Sequence, residues 1–338
     1  MTTNGNSTPV VDQQLYQNNT FENIVAGVTL GVLTGWCYIL FLVIYPCLGY
    51  YILFHQSVAA VALLTFFIYL TVTPLEHTQQ NWFMKSWFFQ IWRNYFQHTF
   101  DCPMDELKEG QKYLFCEFPH AVFPMGQFLC APVLDKLLPR NESVCGIGAD
   151  IVFTVPGLRQ IMSWIGTRRA TREGIRAILS DGSHVTVLPG GIAEMYLVNP
   201  NVEAIYLRKR HNTVRMAIEE GMHIVPEFAF GNSRLYTILG GKEKSVGESA
   251  GLSTLISSFV FRLSRKLRMS LLMFYGCFGT IPRPLPLHLV RGKVIVVEQC
   301  DNPTDEQVQK VLDQLIAAVE QLYKDKKPDW EDRPLVVY

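Results

Sequence analysis

The chain has 338 residues, 49% of them hydrophobic, only 18% charged, with a formal net charge of zero, which accommodates one sizeable domain and a further element. Such a balanced surface has no long-range pull on a polyanion, so nucleic-acid binding is excluded as a function class. The eight cysteines are scattered, with no C-x-x-C pair and no Cys/His cluster of zinc spacing, which excludes a disulfide framework and a metal site and leaves reduced, small hydrophobes.

In chain order, residues 1–21 are polar and read as a loose tail. From Asn23 to Leu75 the sequence contains no Asp, Glu, Lys or Arg. A membrane span needs about 20 mostly apolar residues, so this run has room for two. Pro46 and Gly49 stand near its middle and predict a tight turn there, with spans over 24–45 and 50–73 inside a hairpin unit 22–75. A cleaved signal peptide is not expected, because the preceding residues carry no Lys or Arg and the run far exceeds an h-region. Two spans return the chain to its starting side, and Lys85 and Arg93 are the first basic residues after them, which predicts a cytosolic main domain.

Residues 76–106 are dense in rings: Trp82, Phe83, Trp87, Phe88, Trp92, Tyr95 and Phe96. Such a segment fits either the lipid headgroup boundary or an aromatic core helix, and either way couples the hairpin to the domain behind it. From 107 to 338 short β-rich runs alternate with helical ones. "YLFCEF", "HVTVLP", "AIYL", "HIVPEF" and "KVIVVE" predict strands, and "GLRQIMSWIG", "TREGIRAIL" and "TVRMAIEEG" predict helices. The last helix is announced by Thr304 and Gln307 as a capping box, with Val308, Val311, Leu312, Leu315 and Ile316 at helical spacing. The sum is an α/β domain.

Within it, "FPHAVFPMG" sets His120 among apolar residues, with Pro119 before it and Pro124 after it, directly behind a predicted strand. An imidazole held there on a stiff loop is either a neutral proton acceptor or a hydrogen-bonded core residue. "VLPGGIAEMY" puts Gly190 and Gly191 behind another strand, where bare N–H groups can approach an oxyanion, with Glu194 one turn on. Arg168, Arg169, Arg172 and Arg176, and then Arg208, Lys209 and Arg210, form two basic clusters. Either cluster suits the phosphates of a carrier such as coenzyme A, a solvated face, or anionic lipid.

These blocks together resemble the type-2 diacylglycerol acyltransferase family, which includes monoacylglycerol and wax-alcohol acyltransferases. The likeness runs in order through "FPHAVFPMG", "FTVPGLRQIMSWIGTRRATREGIRAIL", "VLPGGIAEMY", "LRKRHNTVRMAIEEGMHIVPEFAFGNS" and the C-terminal "KKPDWEDRPL", covering nearly everything after residue 80. It implies a membrane-anchored glycerolipid-acyltransferase-like α/β domain behind a two-helix transmembrane hairpin. It implies a multi-pass enzyme of the endoplasmic reticulum and of lipid droplets. Acyl-CoA would be its co-substrate, with no other cofactor and no metal, and diacylglycerol or a related lipid alcohol the acceptor. His120 would be the general base, with Glu194 beside it in the catalytic pair. Pro119, Gly190, Gly191, Arg208, Lys209 and Asn232 would bind substrate.

Two positions depart from the family pattern. Phe118 stands where the family carries His or Glu, and Met125 stands where the H-x-x-x-x-D pattern of related acyltransferases places an acid. The acid that orients His120 is therefore open among Glu194, Glu117 and Asp150, and the same two departures leave a non-catalytic lipid-droplet or membrane scaffold on this fold as a rival reading. Two further stretches compete for attention. Gly247, Ser249 and Gly251 satisfy the G-x-S-x-G elbow of serine hydrolases, yet no strand precedes them and no Asp or Glu lies between Ala250 and His288. The stretch 252–274 carries Arg262, Arg265, Lys266 and Arg268 among leucines and phenylalanines, and fits an interfacial helix or one packed on the sheet.

Overall fold

A computed structural model describes residues 17–103, 107–136, 138, 142–239, 262–264, 266 and 271–338. The first sixteen residues, the G-x-S-x-G stretch and most of 252–274 lie outside the described residues. The domain is built on a seven-stranded sheet. Its strands are β1 (Thr99–Asp101), β2 (Tyr113–Phe118), β3 (Val144–Gly148), β4 (Arg168–Arg169), β5 (His184–Val187), β7 (His223–Phe230) and β10 (His288–Arg291). They lie in the order β1-β10-β7-β2-β5-β3-β4. Two small sheets pair β6 (Glu203–Ile205) with β11 (Leu335–Val337), and β8 (Thr237–Ile238) with β9 (Phe274–Tyr275).

The period of two in "YLFCEF" explains the central strand. Leu114, Cys116 and Phe118 join the large core formed with the C-terminal helix Asp305–Lys326. Tyr113 and Phe115 join a separate cluster with Val144 and Val225. The C-terminal helix starts on the expected box, with the Gln307 N–H donating to Thr304 Oγ1 at 3.2 Å and the Thr304 N–H to Gln307 Oε1 at 2.8 Å. The three other predicted helices form as Leu158–Trp164, Arg172–Ser180 and His211–Glu220.

"KVIVVE" does not form a strand. The antiparallel ladder of β10 on β7 ends at Arg291 opposite Glu227, because the next residue of β7, Pro226, has no N–H to give. Beyond it the Gly292 N–H still donates to the Pro226 carbonyl at 2.8 Å, and Ile295 forms an isolated bridge with Ile224.

The apolar run also departs from the expected hairpin of two spans. Helix continues unbroken from Thr20 to His55, and the turn comes at Gln56, which adopts the left-handed conformation with φ 47°. Ser57 then caps a second apolar helix, Val58–Val72, by accepting the Ala60 N–H at 3.3 Å. Pro46 is absorbed because the helix widens to a π-helical turn over Ile39–Ile44 just before it, which relieves the clash of the ring with the preceding turn. Gly49 sits in mid-helix. The 36-residue helix is long and apolar enough to cross a membrane by length and composition; the second helix is shorter, at 15 residues.

The two helices touch through the rings of Trp36 and Tyr45 against Phe67. Arg159 and Gln160 then tie the second helix to the domain by donating to the Leu70 carbonyl. The first half of the long helix packs on the domain: Ala26, Leu30 and Leu33 share a cluster with Phe89, Trp92, Val122 and Met125. The later half and its partner leave Phe41, Leu42, Leu53, Phe54, Phe66 and Tyr69 exposed. The aromatic segment is divided in the same way, with Phe83, Phe89, Trp92 and Phe96 buried and Trp82, Trp87 and Phe88 exposed.

Candidate active site

Strand β2 runs parallel to both β5 and β7, so the carboxyl ends of these strands lie at one edge of the sheet, where open α/β sheets place their ligands. His120 comes after β2, Gly190 after β5 and Asn232 after β7. Residues far apart in sequence thus arrive together.

Asn232 is 1% exposed and sews up the loop that carries His120. Its Nδ2 donates to the carbonyls of Pro119 and Phe123, both at 3.2 Å, and its Oδ1 accepts from the Gly126 N–H at 3.2 Å. Glu194, also 1% exposed, accepts from the backbone N–H of His120 and from that of Tyr206, the latter at 2.8 Å. The glutamate therefore holds the loop, not the ring. Gly190 makes this possible, because a Cβ there would lie 2.6 Å from that of Glu194 and inside its carboxylate. Pro119 is buried, and its peptide bond with Phe118 is cis.

The imidazole of His120 is half-buried and has Nδ1 3.0 Å from the Ala121 carbonyl. A carbonyl only accepts, so this contact puts the proton on Nδ1 and leaves Nε2 with its lone pair. Burial lowers the pKa of the ring below its ordinary value, and the positive charge of Arg210 lowers it further. Burial acts oppositely on Glu194, raising its pKa to about 7 against the pull of the Tyr206 and His120 N–H groups.

The other candidate orienting acids serve elsewhere. Glu117 faces Glu227 across the β2–β7 register, and Arg291 binds Glu227 at 2.7 Å. Burial and the neighbouring Glu227 hold the Glu117 carboxyl well above the ordinary carboxylate range. Asp150 pairs with Arg169 at 3.0 Å in an exposed contact. The two departures have a packing reason, since Phe118 and Met125 are both fully buried in apolar clusters where a His or an acid would lack a partner.

Of the basic residues, Arg168, Arg169, Arg172 and Arg176 are each paired with a carboxylate: Asp181, Asp150, Glu219 and Glu220. That cluster is an ion-paired face. Arg208 points to the C-terminal region, donating to the Val337 carbonyl at 3.0 Å and standing 3.8 Å from Glu320, and Lys209 is exposed. Neither touches the His120 loop, and Gly191 lies next to Gly190 at the start of the short Gly191–Met195 helix. Among the described residues, Arg210 is the cation that reaches the site, donating to the Gly190 carbonyl and lying 4.7 Å over the Tyr206 ring. Three consecutive cations after a strand carry no periodicity that would single out the third. Tyr206 acts through its backbone, which no side-chain pattern announces.

The sequence profile of the diacylglycerol acyltransferase family matches residues 50–337. The chain is 26% identical to "2-acylglycerol O-acyltransferase 1" of Mus musculus, over 86% of this chain and 89% of that one. It is 25% identical to "Acyl-CoA wax alcohol acyltransferase 1" of Mus musculus, over 75% and 78% of the respective chains. A solved structure, the 1-acyl-sn-glycerophosphate acyltransferase PlsC of Thermotoga maritima, aligns over 90% of this chain and 99% of its own with 9% identity and a TM-score of 0.39. With a matched segment that holds the His120 loop, Glu194 and Asn232 alike, the chain belongs to the diacylglycerol acyltransferase family and is an acyltransferase.

Proposed function

We propose that the protein transfers an acyl group from acyl-CoA to diacylglycerol, forming triacylglycerol, with His120 as the general base. The observation that carries this reading is the Nδ1 contact of His120 with the Ala121 carbonyl at 3.0 Å, which leaves Nε2 as the acceptor nitrogen at the carboxyl ends of parallel strands. Nε2 takes the proton of the acceptor hydroxyl as its oxygen attacks the thioester carbonyl carbon. The new C–O bond forms, the C–S bond breaks, and the coenzyme A thiolate leaves with the proton returned by the imidazolium. Val122 and Phe123 beside the histidine belong to an apolar cluster, which disfavours water as a competing nucleophile.

Membrane attachment through the apolar helices is part of the same reading. Exposed Phe41, Leu42, Leu53, Phe54 and Tyr69 form apolar surface of the kind that contacts lipid, and the basic residues that begin at Lys85 and Arg93 favour a cytosolic site. We assign the endoplasmic reticulum membrane and lipid droplets as its location on this ground and the family likeness. A monoacylglycerol acceptor is the second reading, supported by the name of the murine relative. The test is acyl transfer by membranes carrying the wild-type chain or His120→Ala at matched expression, from labelled acyl-CoA to diacylglycerol, 2-monoacylglycerol or a long-chain alcohol. Loss of all product in the variant is expected. Full activity without the imidazole would refute the base assignment, and product only from another acceptor would replace diacylglycerol.

A further inference from the structure

Behind Glu194 lies a buried polar group that does not touch the reacting atoms. Glu203 on β6 is 1% exposed and accepts from Ser233 Oγ at 2.6 Å and from Arg333 Nη2 at 2.6 Å. Arg333 is 4% exposed. Its Nη2 also reaches Ser233 Oγ at 3.0 Å and Glu331 at 2.7 Å. The guanidinium belongs to the C-terminal segment, which β11 fastens parallel to β6.

Two neighbours of this guanidinium, Ser233 and Glu203, lead to the His120 loop. Ser233 is next in the chain to Asn232, which bonds the loop at Pro119, Phe123 and Gly126. Glu203 stands three residues before Tyr206, whose N–H holds the Glu194 carboxylate that in turn holds the His120 N–H. Two bonded routes thus run from Arg333 to the two sides of one loop. Buried charges interact strongly and persist only when fully partnered, and a reacting group keeps its geometry only when its supports are themselves locked.

We propose that Arg333 and Glu203 are positioning residues for His120, a role that rests on the reading of His120 as the base. They fix the loop through Ser233 and Asn232 on one side and through Tyr206 and Glu194 on the other. Arg333→Lys keeps the charge but loses the planar fork that serves several oxygens at once. Glu203→Gln removes the negative charge beside Glu194, whose other facing groups are Arg210 and the N–H groups of His120 and Tyr206. Glu203 raises the pKa of Glu194, so its loss lets that carboxyl ionise at lower pH.

The experiment uses full-length protein in membranes and measures kcat, KM for acyl-CoA, the pH profile and thermal stability. Arg291→Lys, which alters the buried pair with Glu227 between β7 and β10, supplies a control for lost stability alone. For Arg333→Lys, kcat should fall about tenfold, beyond any loss in the control at equal stability, with KM within about twofold. For Glu203→Gln, the acid limb of the pH profile should move to lower pH. A kcat for Arg333→Lys no lower than the control's, together with an unmoved acid limb, overturns the proposal. Should Arg333→Lys fail to fold, the acid limb of Glu203→Gln decides alone. His120→Ala, run alongside, separates the two readings: activity surviving there removes the base assignment, whereas its loss there with both positioning variants unaffected removes only this proposal.

Discussion

Replacing Glu194 by glutamine exchanges one carboxyl oxygen for an amide nitrogen and tests what burial does to this group. In the fold the carboxyl ionises at about 7 instead of near 4.5, because burial outweighs the two N–H donors aimed at it. An acid whose folded pKa is raised contributes stability that is complete below its unfolded pKa and lost as pH rises through the folded one. The wild-type chain therefore gives up about 3 kcal/mol between acidic pH and pH above 7. Glu194→Gln has no such proton to lose. It offers only one acceptor oxygen to the N–H groups of His120 and Tyr206, however, so one donor faces an NH₂ group, at a cost of about 1–3 kcal/mol. The variant should be the less stable protein at pH 5, and should match or exceed wild type at pH 8. Acyl transfer at pH 8 should nevertheless fall by about tenfold, because the anchor of the His120 N–H is weakened. Thermal unfolding of the purified full chain in detergent across this pH range, with activity measured in parallel, checks both. A stability difference independent of pH would refute the perturbed carboxyl, and full activity would refute its hold on the histidine.

The acid limb of the wild-type pH profile should fall near pH 7, set by Glu194, since burial already keeps the His120 ring neutral at lower pH; a limb well below this would separate activity from Glu194. Asn232→Asp turns an oxygen toward the Pro119 and Phe123 carbonyls, each at 3.2 Å, and should cost about 3 kcal/mol in an unfolding measurement and abolish activity. The joint substitution Arg208→Ala and Lys209→Ala changes exposed side chains, so stability should move by no more than about 0.5 kcal/mol. If these residues bind the coenzyme, as the family resemblance implies, KM for acyl-CoA rises while kcat holds; an unchanged KM removes them from the binding site. Treatment of the membranes with EDTA should leave acyl transfer unchanged.

Much of the fold is legible where a local rule governs it. The capping box at Thr304 places the C-terminal helix because the cap bonds lie within one turn. "YLFCEF" reads as a strand because alternation is local, and its two faces enter separate clusters. The same locality misplaces the turn of the apolar run. Pro46 is a local signal to stop, but a π-helical turn over Ile39–Ile44 accommodates it, and the chain turns at Gln56 instead. "KVIVVE" has strand composition, yet its register ends at a proline on another strand.

The site divides along the same line. His120, Glu194 and Gly190 stand out by residue type and by their places behind predicted strands, as a base, an acid and bare backbone, whereas Asn232 enters only through the family resemblance. Their relations depend on which strands are neighbours. Only the order β7-β2-β5 brings Asn232 and Gly190 to the loop of His120, and only that packing turns Glu194 to the histidine's backbone N–H. Arg210 among three adjacent cations, and Arg333 more than two hundred residues from His120, gain their places from burial and from partners distant in sequence. Side-chain type and period are properties of a short segment and survive in the sequence alone; which polar groups face each other in a low-dielectric interior is decided by the whole chain folding at once.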